Sequence, residues 1–199
     1  MSGVVETGSA AYTLPGETES GDCHAFVSLP YGALVAVIDG LGHGSEAAAA
    51  ARRAVMHIEQ FANGDTLVTL LKRCHAALTG TRGAVMNLAV FDVRESTLTW
   101  IGVGNVHGRL LLKTAKSGYA QQDLLLRPGV VGQKLPPLQP SVTRVQRGDT
   151  MIFATDGIAP DFSDDIRFGL APAEVARQIV ALCCKKTDDA LVLVVRYHG

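Results

Sequence analysis

Ala33-Leu34-Val35-Ala36-Val37-Ile38-Asp39-Gly40-Leu41-Gly42-His43-Gly44-Ser45-Glu46 runs from an unbroken apolar stretch, through an aspartate and a glycine-rich turn, into alanine-rich sequence that reaches Phe61. Six consecutive apolar residues suit a strand buried on both faces. Alanine is the best helix former and Ser45 is a suitable N-cap, so a helix is expected from Ser45 to about Phe61, stopped by Asn63-Gly64. Upstream, residues 24–29 read as a partner strand, joined through the turn Pro30-Tyr31-Gly32. Downstream, a second helix starts near Asp65 and carries Leu67, Leu70, Leu71, Cys74 and Leu78 at helical spacing, with Thr79-Gly80 as its stop.

From Ala84 the period becomes strand-like. Residues 84–93 and 97–103 form an expected hairpin about Glu95-Ser96, followed by strands at about 106–114, 122–127, 141–145 and 150–155. An Asp/Ser-rich stretch at 160–165 precedes a helix over 172–185 with Pro172 in its first turn, and the last strand covers 190–195. Few connections are long enough for parallel crossovers, so an α+β layered sandwich with mainly antiparallel sheets is expected. No repeat or low-complexity linker divides the chain, which reads as one domain over 1–199.

With 47% hydrophobic and 19% charged residues, the 199-residue chain can bury a sizeable core. A net charge of −1 gives no basic footprint for nucleic acid. No apolar run approaches the roughly 20 residues of a membrane span. Met1-Ser2-Gly3-Val4-Val5-Glu6 lacks the form of a signal peptide, so a cytoplasmic protein is expected. Cys23, Cys74, Cys183 and Cys184 form no C-x-x-C pair and read as buried, reduced thiols.

The chemistry lies in acids placed at strand ends. Asp39 closes one apolar strand and Asp156 another, each followed by glycine (Gly40, Gly157). Asp188-Asp189 immediately precede the last strand, and Asp22 sits just before the first of the early pair. A carboxylate on a buried strand is costly without a partner, and no Arg or Lys lies beside these in sequence. If the strand ends converge, a divalent cation relieves the repulsion, and all-oxygen ligation favours magnesium or manganese over zinc. A lone Asp-Gly is more often a turn, so the weight rests on the repetition. The Asp39–Gly44 loop also admits a nucleotide-binding reading, but it fits neither glycine-rich fingerprint and has no lysine for a phosphate.

Asp39-Gly40-Leu41-Gly42-His43-Gly44, Gly148-Asp149 leading to Phe153-Ala154-Thr155-Asp156-Gly157, and Asp188-Asp189-Ala190-Leu191-Val192-Leu193-Val194 together resemble the PPM superfamily of metal-dependent protein phosphatases, and within it the SpoIIE-type branch. The ordered motifs run from residue 22 to residue 195. The resemblance implies a four-layer αββα sandwich with two mainly antiparallel central sheets and two Mn2+ or Mg2+ ions at their edge. Asp39 would bridge the ions and the Gly40 carbonyl would contact one. Asp156 and Asp188 would hold the other, with Asp189 as an alternative to Asp188. Asp22 would act directly or through water. Being short, the chain is similar to the small phosphatases of the bacterial stressosome, which implies phosphoserine and phosphothreonine on STAS-domain proteins as substrates and a monomeric enzyme.

Direct hydrolysis by metal-activated water, without a phospho-enzyme, is the expected mechanism. His43 is either a general acid or a residue steadying the glycine loop, and the second reading is preferred. Cys23 lacks a C-x5-R phosphatase loop around it. Two departures stand out: Ala25 occupies a place where many relatives carry a second acid, and Asn105-Val106-His107-Gly108 matches the Asn-Ala-Gly-His stretch only loosely. They give some weight to an alternative, a catalytically silent phosphoprotein-binding module of the same fold.

Overall fold

The computed structural model describes residues 3–114, 118–162 and 169–199. Ten strands and three helices are formed among them. The strands are β1 (Val5–Tyr12), β2 (Asp22–Leu29), β3 (Gly32–Gly40), β4 (Ala84–Asp92), β5 (Thr97–Val103), β6 (His107–Lys113), β7 (Tyr119–Asp123), β8 (Ser141–Arg144), β9 (Thr150–Ala154) and β10 (Ala190–Tyr197). The helices are α1 (Ser45–Phe61), α2 (Leu67–Leu78) and α3 (Pro172–Cys183).

Two five-stranded sheets form, ordered β1-β10-β9-β6-β7 and β2-β3-β4-β5-β8, and every pairing is antiparallel. Strand alternation sorts the side chains into layers. Val35, Val37 and Phe91 of the second sheet pack on Phe153, Leu193 and Val195 of the first, filling the space between them. On the other face of the second sheet, Leu34, Ala36 and Ile38 meet Ala51, Ala54, Ile58 and Leu71 of α1 and α2. On the outer face of the first sheet, Ile152, Val192 and Val194 meet Val175 and Ile179 of α3. The expected αββα order is therefore present. The continuously apolar β3 has a direct cause, since its two faces enter two different cores.

Three details differ from the sequence reading. β1 was not expected: its Gly8, Ser9, Ala10 and Ala11 carry little strand signal, yet it pairs along its length with β10. The strand expected at 122–127 lies instead at Tyr119–Asp123. As a sheet edge it needs little apolar surface, while Leu125 is 68% exposed in the following loop. The α1 N-cap is Gly44, without a side-chain capping bond, rather than Ser45, and α2 is capped by Thr66, which accepts from Thr69 N, rather than by Asp65. The acidic stretch at 160–165 lies partly outside the described residues.

Gly8 shows how tightly α3 sits on the sheet. A Cβ placed there would lie 2.0 Å from the Ala173 amide nitrogen. Gly8→Ala should force α3 outward at about 1–3 kcal/mol, the usual range for overpacking. For a chain of this size that is a fall in Tm of roughly 3–10 °C, measurable by calorimetry.

Candidate metal centre

The strand ends meet at one end of the sandwich. Asp22, the first residue of β2, lies directly opposite Asp39, the penultimate residue of β3, in the antiparallel register. From the other sheet come Asp156, just after β9, and Asp188, just before β10. A cavity of about 250 Å3 is lined by Asp39, Asp156 and Asp188 together with Gly42, Val85 and Asn105. Asp22 does not line it; the residue borders a neighbouring groove of about 520 Å3 with Cys23, His24 and Met56. A larger groove of about 640 Å3 runs along the outside of α1, where the one acid, Glu46, is already paired with Arg82.

Gly40 fixes the approach of α1 to this end. A Cβ at that position would lie 2.2 Å from the Ala47 carbonyl oxygen, so only glycine lets the first turn of α1 pack over the end of β3. The Gly40 amide donates to the Gly21 carbonyl at 3.0 Å, tying the ends of β2 and β3 together.

The electrostatics follow from crowding without counter-ions. Burial, reinforced by repulsion from Asp22, Asp156, Asp188 and Asp189, pushes the Asp39 carboxyl up to about 9. Burial also pushes Asp22 up to about 7; the Thr155 hydroxyl, which donates to Asp22 Oδ2 at 2.7 Å, partly offsets it, and Asp189, Asp156 and Asp188 add repulsion. Among the described residues, none of the five aspartates forms an ion pair. Nor do three His, Cys, Asp or Glu side chains among them already close into a coordination shell. The donor chemistry nonetheless fits a hard divalent cation: oxygen only, several acidic side chains, and no lysine or arginine paired with their carboxylates among the described residues.

The surroundings assign further roles. Asn105 Nδ2 donates to Asp156 Oδ2 at 2.8 Å, and Lys185 Nζ donates to the Asp156 carbonyl at 2.7 Å. Lys185 carried no signal in the sequence, and Asn105 only a loose motif. Asp188 Oδ1 accepts the Asp189 amide at 2.8 Å. Asp189 differs from its neighbour, because both its oxygens accept backbone amides, from Leu14 at 2.8 Å and Gly21 at 2.7 Å. His43 Nδ1 pairs with Glu17 Oε1 at 2.6 Å. Burial raises the Cys23 thiol, with a smaller push from Asp22, leaving it a poor nucleophile at neutral pH.

The model of the family described as Stage II sporulation protein E (SpoIIE) matches residues 30–198. The chain belongs to the SpoIIE family. It is thus a SpoIIE-type PPM phosphatase domain by family and by fold. A solved structure described as "The bacterial stressosome: a modular system that has been adapted to control secondary messenger signaling" is 32% identical, with a TM-score of 0.85 over 96% of this chain and 99% of that one. RsbX in complex with magnesium is 21% identical, with a TM-score of 0.82 over 97% and 95%. The PP2C phosphatase domain of SpoIIE from Bacillus subtilis, solved with a fragment of its regulatory domain, is 19% identical, with a TM-score of 0.77 over 98% and 63%. Structures of this fold include magnesium and manganese complexes. A search of curated proteins found no match. No helix among the described residues is long and apolar enough to cross a membrane.

Proposed function

We propose that this SpoIIE-family chain is one 199-residue, monomeric, cytoplasmic domain that hydrolyses phosphoserine and phosphothreonine on STAS-domain proteins of a stressosome, as an RsbX-like negative regulator of the general stress response. One observation supports the reaction above all others. Asp39, Asp156 and Asp188, from three separate strand ends, line one cavity, and burial among neighbouring carboxylates pushes the Asp39 carboxyl up to about 9. The stressosome assignment draws on the 32%-identical structure and on the RsbX fold.

In this reading Asp39, the Gly40 carbonyl, Asp156 and Asp188 hold two Mg2+ or Mn2+ ions, with Asp22 behind Asp39. When bound, such ions supply Lewis-acid activation of water and neutralise charge on the phosphoryl group. The chain's own contribution is position. The β2–β3 and β9–β10 ladders fix the acids, Asn105 orients the Asp156 carboxylate, and Lys185 pins the backbone at Asp156. Val85 and Val130 wall the cavity and limit water on one side. His43, engaged by Glu17, holds the glycine loop against the β1–β2 connection.

Chelated protein should show no turnover of p-nitrophenyl phosphate or of a phosphorylated STAS-domain protein, and Mn2+ or Mg2+ should restore both. Phosphate release is read by a colorimetric assay. A protein that binds the phosphorylated partner but releases no phosphate at any metal concentration is the silent module, and the enzymatic reading then fails. Turnover of the small ester without the STAS-domain protein would leave the enzyme standing and remove the proposed substrate.

A further inference from the structure

Two residues flanking β9 and β10 of the first sheet reach across the sandwich to the segment that carries Asp22, and ligation of a cation accounts for neither. Thr155 is fully buried. Its hydroxyl donates to Asp22 Oδ2 at 2.7 Å and accepts the Leu191 amide at 2.8 Å. A hydroxyl has a single proton, and Asp22 Oδ2 at 2.7 Å is a much nearer acceptor for it than the Leu191 carbonyl at 3.4 Å. Asp189 is 4% exposed and accepts the amides of Leu14 and Gly21, which stand at the two ends of the β1–β2 connection. Ser20 Oγ completes the hold by accepting the Asp22 amide at 3.1 Å.

These contacts act against a definite force. Asp22 and Asp39 are directly opposed on neighbouring strands, and two carboxyls in that position push apart as they ionise. Asp22 is the first residue of an edge strand, where fraying meets least resistance. We infer that Thr155 and Asp189 are positioning residues: they pin Asp22 beside Asp39 so that the acid cluster stays assembled in the metal-free protein and accepts its cations with little rearrangement. The inference rests on the metal-site reading above. It gives the two neighbouring aspartates different work, with Asp188 lining the cavity and Asp189 serving the backbone of the loop.

The test uses the full chain and Thr155→Val, Thr155→Ser and Asp189→Asn. Valine keeps the shape of threonine and removes the hydroxyl, while serine keeps the hydroxyl. Mg2+ affinity is measured by calorimetry, and amide hydrogen exchange is followed by NMR in metal-free protein. Thr155→Val should weaken Mg2+ binding about 10-fold or more, in the range seen when outer partners of metal ligands are removed, and Thr155→Ser should restore most of it. Asp189→Asn offers one acceptor and places an amide NH2 against a backbone N–H. It should accelerate exchange at Leu14 and Gly21 and weaken Mg2+ binding. Unchanged Mg2+ affinity in Thr155→Val, or unchanged exchange at Leu14 and Gly21 in Asp189→Asn, overturns the inference. If the unmodified chain takes up no Mg2+, the metal reading itself fails. Exchange at the Asp22 end of β2 in Thr155→Val then decides whether the hydroxyl pins that residue.

Discussion

Asp39→Asn should abolish metal-dependent phosphate release while making the metal-free protein more stable. The two effects have one cause. Asp39 lies in the cavity wall, opposite Asp22 and close to Asp156 and Asp188, with no cation of the chain's own to balance it. Removing a single charge aimed at a reacting centre commonly lowers rate by about 10²–10³. Asn keeps one oxygen but not the charge, so a loss at or beyond that range is expected in a p-nitrophenyl phosphate assay at saturating Mn2+. To fold at pH 8 Asp39 must take up a proton that the unfolded chain has lost, because burial and four neighbouring carboxylates oppose its charge. Asn carries no such charge, and in metal-free buffer at pH 8 the variant should melt several degrees higher, at roughly 2–4 °C per kcal/mol for a domain of this size. A variant that keeps unmodified turnover shows that Asp39 holds no essential ion. A variant that loses turnover and also melts lower shows that Asp39 supports the fold instead. Gain of stability with loss of activity is the signature of a site built from repelling charges.

The fold was legible where sequence and burial agree. β3 is apolar at every position from Ala33 to Ile38 because it lies between two cores, so run length alone identified it. α1 and α2 were legible from alanine content and from the Leu67–Leu78 stripe. Edge strands were not. β1 is held by its register with β10, from the opposite end of the chain, and β7 is polar because only one side of it is paired. The site divides in the same way. Asp39, Asp156 and Asp188 were visible as acids at the ends of apolar strands, a local pattern. The work of Thr155 and Asp189 was invisible, since their partners lie 133 and 168 residues away and arise only when the sheets stack. Asp22 is expected from the resemblance to act directly or through water; it lies opposite Asp39 and accepts from the Thr155 hydroxyl.

Metal affinity should rise steeply with pH, and the stability of the metal-free protein should fall over the same interval. Asp39 and Asp22 hold their protons to about 9 and about 7 in the folded protein, against an ordinary value of 3.8 in the unfolded chain. Raised carboxyl values stabilise the fold fully below about pH 4, where both states are protonated. As pH climbs, the unfolded chain ionises first, and the contribution drains away until the folded groups ionise near 7 and 9. A cation must displace those same protons, so each one released gains up to about tenfold in apparent affinity per pH unit below its folded value. Between pH 6 and pH 8.5, Mg2+ binding should therefore tighten by one to three powers of ten, on the order set by one or two released protons. Calorimetry in two buffers of different ionisation enthalpy reads the proton release directly. Melting curves with EDTA and with Mg2+ should diverge toward alkaline pH, the chelated protein losing stability while the metal-loaded one holds it. An affinity that stays flat across this range, with no protons released, means that the cluster is already ionised and balanced by other groups, and the proposed centre is then not the place where the cation binds.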